Sequence, residues 1–164
     1  MVWDMSARLL ATKFHIPSRR ALLVARPRLL ERLETSVRDA HKLALVSAPA
    51  GYGKTTLLAD WLASLTSMGR REPPLVSWLS LDEADNDAVR FMRYLLAALQ
   101  LAHPAIGSLA QKMLEMPQLP SLTVLLDEVL NDLAGIDTSL VLVLDDYHTL
   151  SNPDIHAAID YFLD

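Results

Sequence analysis

The sequence contains no cysteine. That absence excludes disulfide frameworks, cysteine-based zinc sites and thiol nucleophiles, and it permits a reducing compartment. Aromatic residues make up only 6% of the chain, so a core must be assembled mainly from Leu, Ala and Val. No apolar stretch approaches the roughly 20 residues that span a bilayer. Leu9-Leu10-Ala11 is too short for the apolar centre of a signal peptide. A cytoplasmic protein with no membrane contact is expected. The histidines show no metal-ligand spacing, and no Gly-x-Ser-x-Gly nucleophile turn occurs. The formal net charge of −5 argues against a nucleic-acid binder.

What the chain does have is length and apolar content. Its 164 residues, 51% of them hydrophobic, suffice for one domain with a real core. Residues 1–26 read as an irregular segment broken by Pro17, with Arg8, Lys13, Arg19, Arg20 and Arg26 forming part of a basic run expected to be a solvated face. Residues 27–164 read as one α/β unit. Pro27 opens a helix to about Asp39. Leu43–Val46 is predicted as a short buried strand and Lys54 to about Met68 as a helix. Leu75–Leu79 is a second predicted strand, followed by an acidic loop holding Asp82, Glu83, Asp85 and Asp87, expected to be solvated. Helices are predicted from Ala88 to about Leu101, through Ile106–Leu114, and through Leu122–Leu133, the last on i, i+3, i+4, i+7 spacing. Leu140–Leu144 is continuously apolar, as in a parallel strand covered on both faces. Asn152-Pro153 then starts a helix. Alternating strands and helices indicate a parallel sheet flanked by helices.

Between the first predicted strand and its helix lies Ala48-Pro49-Ala50-Gly51-Tyr52-Gly53-Lys54-Thr55. A small residue, four others, then Gly-Lys-Thr is the spacing of a phosphate-binding loop, or Walker A motif. Such a loop turns successive backbone N–H groups toward one point at the positive end of a helix. Gly51 and Gly53 let it turn, Lys54 neutralises outer phosphate oxygens, Thr55 offers a hydroxyl to Mg²⁺, and Thr56 is placed for an inner phosphate. Ala50 and Tyr52 complete the candidate nucleotide-binding set, and Arg26 is a candidate contact from outside the loop. The first position is Ala48 rather than Gly, which adds a methyl group and no polar atom.

The second signal is the apolar strand ending in Asp145-Asp146, the form of a Walker B motif. Carboxylates at the carboxyl end of a parallel strand lie where ligands bind. Asp145 is the candidate Mg²⁺ ligand. Asp146 is the candidate that orients or deprotonates an attacking water, with Lys54 the other candidate catalytic residue. The expected ligand is therefore a nucleoside triphosphate with Mg²⁺. His148 follows closely and reads as a polar residue at a strand end.

Ser47-Ala48-Pro49-Ala50-Gly51-Tyr52-Gly53-Lys54-Thr55-Thr56-Leu57-Leu58 resembles the loop of large ATP-binding transcriptional regulators of the LuxR type, within the STAND class of signalling ATPases. The similarity continues in Arg26-Pro27-Arg28-Leu29-Leu30, in Trp78-Leu79-Ser80-Leu81-Asp82 with Asn86-Asp87, and in Leu144-Asp145-Asp146-Tyr147-His148 with Asn152-Pro153. The resemblance implies a P-loop NTPase-type fold that binds ATP or ADP with Mg²⁺, and a nucleotide-controlled switch in transcription, with slow hydrolysis at most in isolation. It implies self-association or contact with other domains of a parent regulator, and no DNA contact by this segment itself. In proteins of this class a further strand inserts between the Asp-Asp strand and the loop strand. No counterpart is legible before Asp164, so the expectation is an incomplete sheet, direct pairing of the two strands, or repair by another chain, in a fragment or gene remnant of a larger regulator. A small-molecule P-loop kinase and a non-catalytic regulatory or interaction fragment are the alternatives.

Overall fold

The structure is a computed structural model that describes residues 9–18, 24, 26–67 and 72–164. Arg8, Arg19 and Arg20 of the basic run, Met68 and the break at 69–71 lie outside the described residues. Two parallel strands, β1 (Leu75–Ser80) and β2 (Leu140–Asp145), pair in register from Leu75 opposite Leu140 to Ser80 opposite Asp145. Parallel neighbours need a crossover. Here it runs through α3 (Ala88–Ala102), α4 (Ser108–Met113) and α5 (Leu122–Ala134). The helices α1 (Pro27–Arg38) and α2 (Lys54–Ser67) precede β1, and α6 (Pro153–Leu163) follows β2.

Strand periodicity sorts the core into two layers, because successive side chains point to opposite faces. Val76, Trp78, Val141 and Val143 pack with Leu33 of α1 and Leu57, Trp61, Leu62 and Leu65 of α2. Leu79, Leu142 and Leu144 pack with Phe91, Leu95 and Leu99 of α3, Leu125 and Val129 of α5, and Ile155 of α6. Helices on both faces explain why β2 is apolar from Leu140 to Leu144.

The helix starts follow local chemistry. Pro27 sits in the first turn of α1, Asp87 accepts from the Arg90 amide at 2.7 Å, Ser121 caps α5, and Asn152 accepts from the Asp154 amide at 2.9 Å ahead of Pro153. The Asp87, Ser121 and Asn152 side chains each satisfy an amide donor that the first helical turn leaves without a partner.

Three expectations are corrected. Leu43–Val46 is not a strand: residues 43–49 carry no regular structure, and Leu43 and Leu45 are 63% and 82% exposed. A strand exists through its ladder partner, and among the described residues β2 pairs with β1 alone. Only Val46 of the run reaches the α1–α2 layer. Second, Lys13 is not on a solvated face. It is buried in a 3-10 turn, Ala11–Phe14, and pairs with Asp85 and with Asp82 at 2.8 Å. Third, the acidic loop is not solvated throughout. Asp85 is fully buried and its carboxylate also accepts from the Asp82 amide and from Arg90 Nε. A buried carboxylate persists only when paired, and the sequence pattern of acidic residues did not reveal that its partner lies 72 positions upstream.

Candidate nucleotide site

The loop before α2 turns through two left-handed glycines, Gly51 at φ +82° and Gly53 at φ +76°. Only glycine takes these conformations without a steric cost. A side chain at Gly51 would meet nothing within 4 Å, so the space in front of the loop is open there. Helix α2 begins at Lys54 itself, so its first-turn amides, those of Lys54, Thr55 and Thr56, adjoin this space at the positive end of the helix. The Lys54 ammonium folds back over the loop and donates to the carbonyls of Ala48 at 2.7 Å and Pro49 at 3.3 Å.

Thr55, one residue into α2, donates its hydroxyl to Asp145, with Oδ2 at 2.9 Å and Oδ1 at 3.1 Å. The end of the apolar strand and the loop are thus brought together. Asp145 is buried. Burial pushes its carboxyl above the usual range, the neighbouring charge of Asp146 adds to the rise, and the bonds from Thr55 and the Asp146 amide oppose it. Asp146 occupies the left-handed region at φ +57°, a conformation that asparagine and aspartate tolerate better than most residues. Its carboxylate is half-exposed and lies 3.9 Å from Nδ1 of the exposed His148.

Arg26 reaches the loop from the residue before α1. Its Nη1 donates to the Tyr52 carbonyl at 2.8 Å, and its guanidinium lies 3.4 Å from where a side chain at Gly53 would begin. The Tyr52 ring is exposed, and Thr56 is half-buried in the first turn of α2.

The donor chemistry fits a magnesium nucleotide. Thr55 and Asp145 supply oxygen ligands of the kind a hard cation takes. Among the described residues no cluster of three or more His, Asp or Glu side chains forms a cage for a metal. A cation here would complete its shell with phosphate oxygens and water, as Mg²⁺ ordinarily does.

Two residues belong to this edge without having been singled out for a role from the sequence. Asn86 joins the loop after β1 to the loop after β2. Its Oδ1 accepts from the amides of Ser151 at 2.6 Å and Asn152 at 3.0 Å, and its Nδ2 donates to the Thr149 carbonyl at 3.0 Å. Asn152 Nδ2 returns a bond to the Asn86 carbonyl at 2.8 Å. Ser80 ends β1 directly opposite Asp145 and accepts from the Trp78 indole at 2.9 Å. The Trp78–Asp82 segment was the signal available, but nothing in it indicated that Ser80 adjoins Asp145.

The parallel pair with helices on both faces and a glycine loop opening α2 is a partial P-loop α/β fold. The AAA domain family matches residues 10–154, and the chain belongs to that family. Over 152 residues, 93% of the chain, it is 40% identical to the HTH-type transcriptional regulator MalT of Vibrio parahaemolyticus and equally to that of Vibrio campbellii. It is 39% identical over 155 residues to the MalT regulator of Yersinia pestis. The chain corresponds to an N-terminal MalT-like segment and spans 16% of the length of each of these regulators. Among the described residues no helix is long and apolar enough to cross a membrane.

Proposed function

We propose that the chain is the nucleotide-binding switch segment of a STAND-type transcriptional regulator, taking ATP or ADP with Mg²⁺ in the cytoplasm. The Thr55–Asp145 contact beneath the Lys54 loop is the observation that carries this reading. Lys54 would exchange its two loop carbonyls for outer phosphate oxygens, which are stronger acceptors because they are charged. Thr55 and Asp145 would hold Mg²⁺, which when bound neutralises charge on the phosphates. Arg26, Ala50, Gly51, Tyr52, Gly53 and Thr56 would surround the phosphate chain. Asp146, half-exposed beside Asp145, would orient a water, and hydrolysis would be slow or absent in the isolated segment.

The same reading gives the run Leu43–Val46 a partner: a further strand seated between it and the edge of β2 that no described residue pairs. Exposed Leu43 and Leu45, and a β2 that pairs with β1 alone among the described residues, support this, because unpaired edges recruit strands. Other domains of a parent regulator, or a second copy, are the proposed partners, and DNA contact by this segment is not part of the proposal.

Isothermal titration of the chain and of Lys54→Ala with Mg-ATP and Mg-ADP tests the assignment. The expected result is at least about a tenfold loss of ATP affinity on removing a charge-assisted phosphate contact, with unchanged far-UV circular dichroism. Equal affinity in the two proteins would overturn it.

A further inference from the structure

Ser80 is the polar side chain at the carboxyl end of β1, and it has a fixed orientation. Residues two apart on a strand share a face, so Ser80 lies on the side of Trp78, which packs against α2. Val143 packs in the same layer, which puts Asp145 on that side too, and Thr55 of α2 meets it there. The register sets Ser80 directly opposite Asp145, and neighbouring strands lie about 4.8 Å apart. Ser80, Asp145 and Thr55 therefore converge where the sheet edge meets the start of α2.

The direction of the Ser80 hydroxyl is decided by its neighbour. Trp78 is nearly inaccessible, and its indole N–H, a donor only, points at Ser80 Oγ at 2.9 Å. One lone pair of Ser80 is thereby occupied. The hydroxyl proton makes no bond to Asp145, whose carboxylate takes its bonds from Thr55 and from the Asp146 amide. A half-buried serine held by an indole, one strand from a candidate metal ligand, has a second lone pair left to accept from a third group between them.

We propose that Ser80 is a positioning residue for the magnesium shell of the nucleotide site, its Oγ accepting through the lone pair that Trp78 leaves free from a cation-bound water on the side of Asp145 facing β1. The proposal rests on the nucleotide reading above. Trp78 acts through Ser80: its N–H fixes the oxygen, so the remaining lone pair turns toward the site. Carboxylate and hydroxyl groups that hold metal-bound waters in this way act on the affinity for the cation rather than on the contacts to phosphate.

The test compares ADP affinity in excess Mg²⁺ and in EDTA for the full chain and for the Ser80→Ala, Ser80→Thr, Trp78→Phe and Lys54→Ala variants. The readouts are titration calorimetry and tryptophan emission. Ser80→Ala is expected to lose about tenfold of the Mg²⁺-dependent gain, in line with outer-shell partners elsewhere, while its affinity in EDTA stays unchanged. Ser80→Thr, which keeps the hydroxyl, restores the gain to within about threefold, and Trp78→Phe lowers it in the same direction as Ser80→Ala. Equal Mg²⁺ dependence in Ser80→Ala and the parent would overturn the proposal. So would an equal loss with and without the metal, which is the mark of a merely structural serine. If Lys54→Ala weakens ADP binding while Ser80→Ala behaves as the parent, only the Ser80 assignment fails. If the parent binds no ADP under either condition, the nucleotide reading fails and the Ser80 role falls with it.

Discussion

The hydroxyl of Thr55 stands 2.9 and 3.1 Å from the two carboxylate oxygens of Asp145, across 90 positions of sequence. A neutral donor thus holds a buried carboxylate at the start of α2. The contact joins the glycine loop to the sheet edge, and in the proposed function it opens to admit a cation.

The first prediction concerns Asp145. Its folded-state carboxyl is raised by burial, so the native state binds its proton more tightly than the unfolded chain does. Stability from this group is present at low pH and declines as pH rises through the raised value. Asp145→Asn removes that decline. The variant is expected to melt above the parent at pH 7.5 without metal, with the advantage shrinking toward pH 4. It is also expected to lose the Mg²⁺ dependence of ADP binding. Thermal melts at the two pH values check the first statement and calorimetry the second.

Arg26 gives a prediction about the loop. Its guanidinium grips the Tyr52 carbonyl from outside. Arg26→Ala is expected to weaken ADP binding about three- to tenfold, the loss of one charge-assisted hydrogen bond at an exposed position. It should also speed amide exchange at Gly51–Gly53, as read by hydrogen–deuterium exchange. Unchanged exchange in the loop would remove Arg26 from this role.

Lys13 anchors residues 9–14 to the body. It pairs with Asp85 and Asp82 and lies 4.8 Å from the centre of the Tyr94 ring, whose hydroxyl accepts from the Leu10 amide at 3.2 Å. Lys13→Met leaves buried Asp85 with Arg90 as its remaining ion-pair partner. The expected cost is about 3 kcal/mol in urea denaturation. Lys13 also holds the Asp82 carboxyl below its usual range. That contribution is fully present above the unfolded value and is lost as pH falls through the folded one. Asp82→Asn should therefore flatten the acid limb of the stability profile below about pH 4, with a small effect because Asp82 is half-exposed.

Asn86 holds the turn after Asp145. Asn86→Ala leaves the amides of Ser151 and Asn152 without their acceptor, at an expected cost of about 1–3 kcal/mol. Asn86→Asp keeps the acceptor and loses the donor to Thr149, so it should fall between the two in a denaturation series. An alanine variant as stable as the parent would show that the bridge contributes nothing.

Most of the helices were legible because their signals are local. Pro27, Asn152-Pro153 and the Leu122–Leu133 stripe fix φ, satisfy first-turn amides or mark one face, and the observed helices follow them. The loop was legible for the same reason: Gly51 and Gly53 both take the positive φ that the tight turn demands. Leu43–Val46 misled because an apolar run specifies burial but not a ladder partner. The acidic loop misled because a string of aspartates looks alike whether solvated or paired, and Asp85 is decided by Lys13 far upstream.

By itself the sequence determined where the chain turns, caps and alternates, and which residue types stand before α2 and at the end of β2. Those follow from backbone sterics and from hydrogen bonds between near neighbours. Only the tertiary structure decided that Asp145 meets Thr55, that Ser80 faces Asp145 across the ladder, that Asn86 holds the turn beyond it, and that Lys13 is buried. Such contacts depend on the parallel crossover and the register it imposes. Registers are set by packing two helical layers against one sheet, a sum over many distant side chains that no short window of sequence contains.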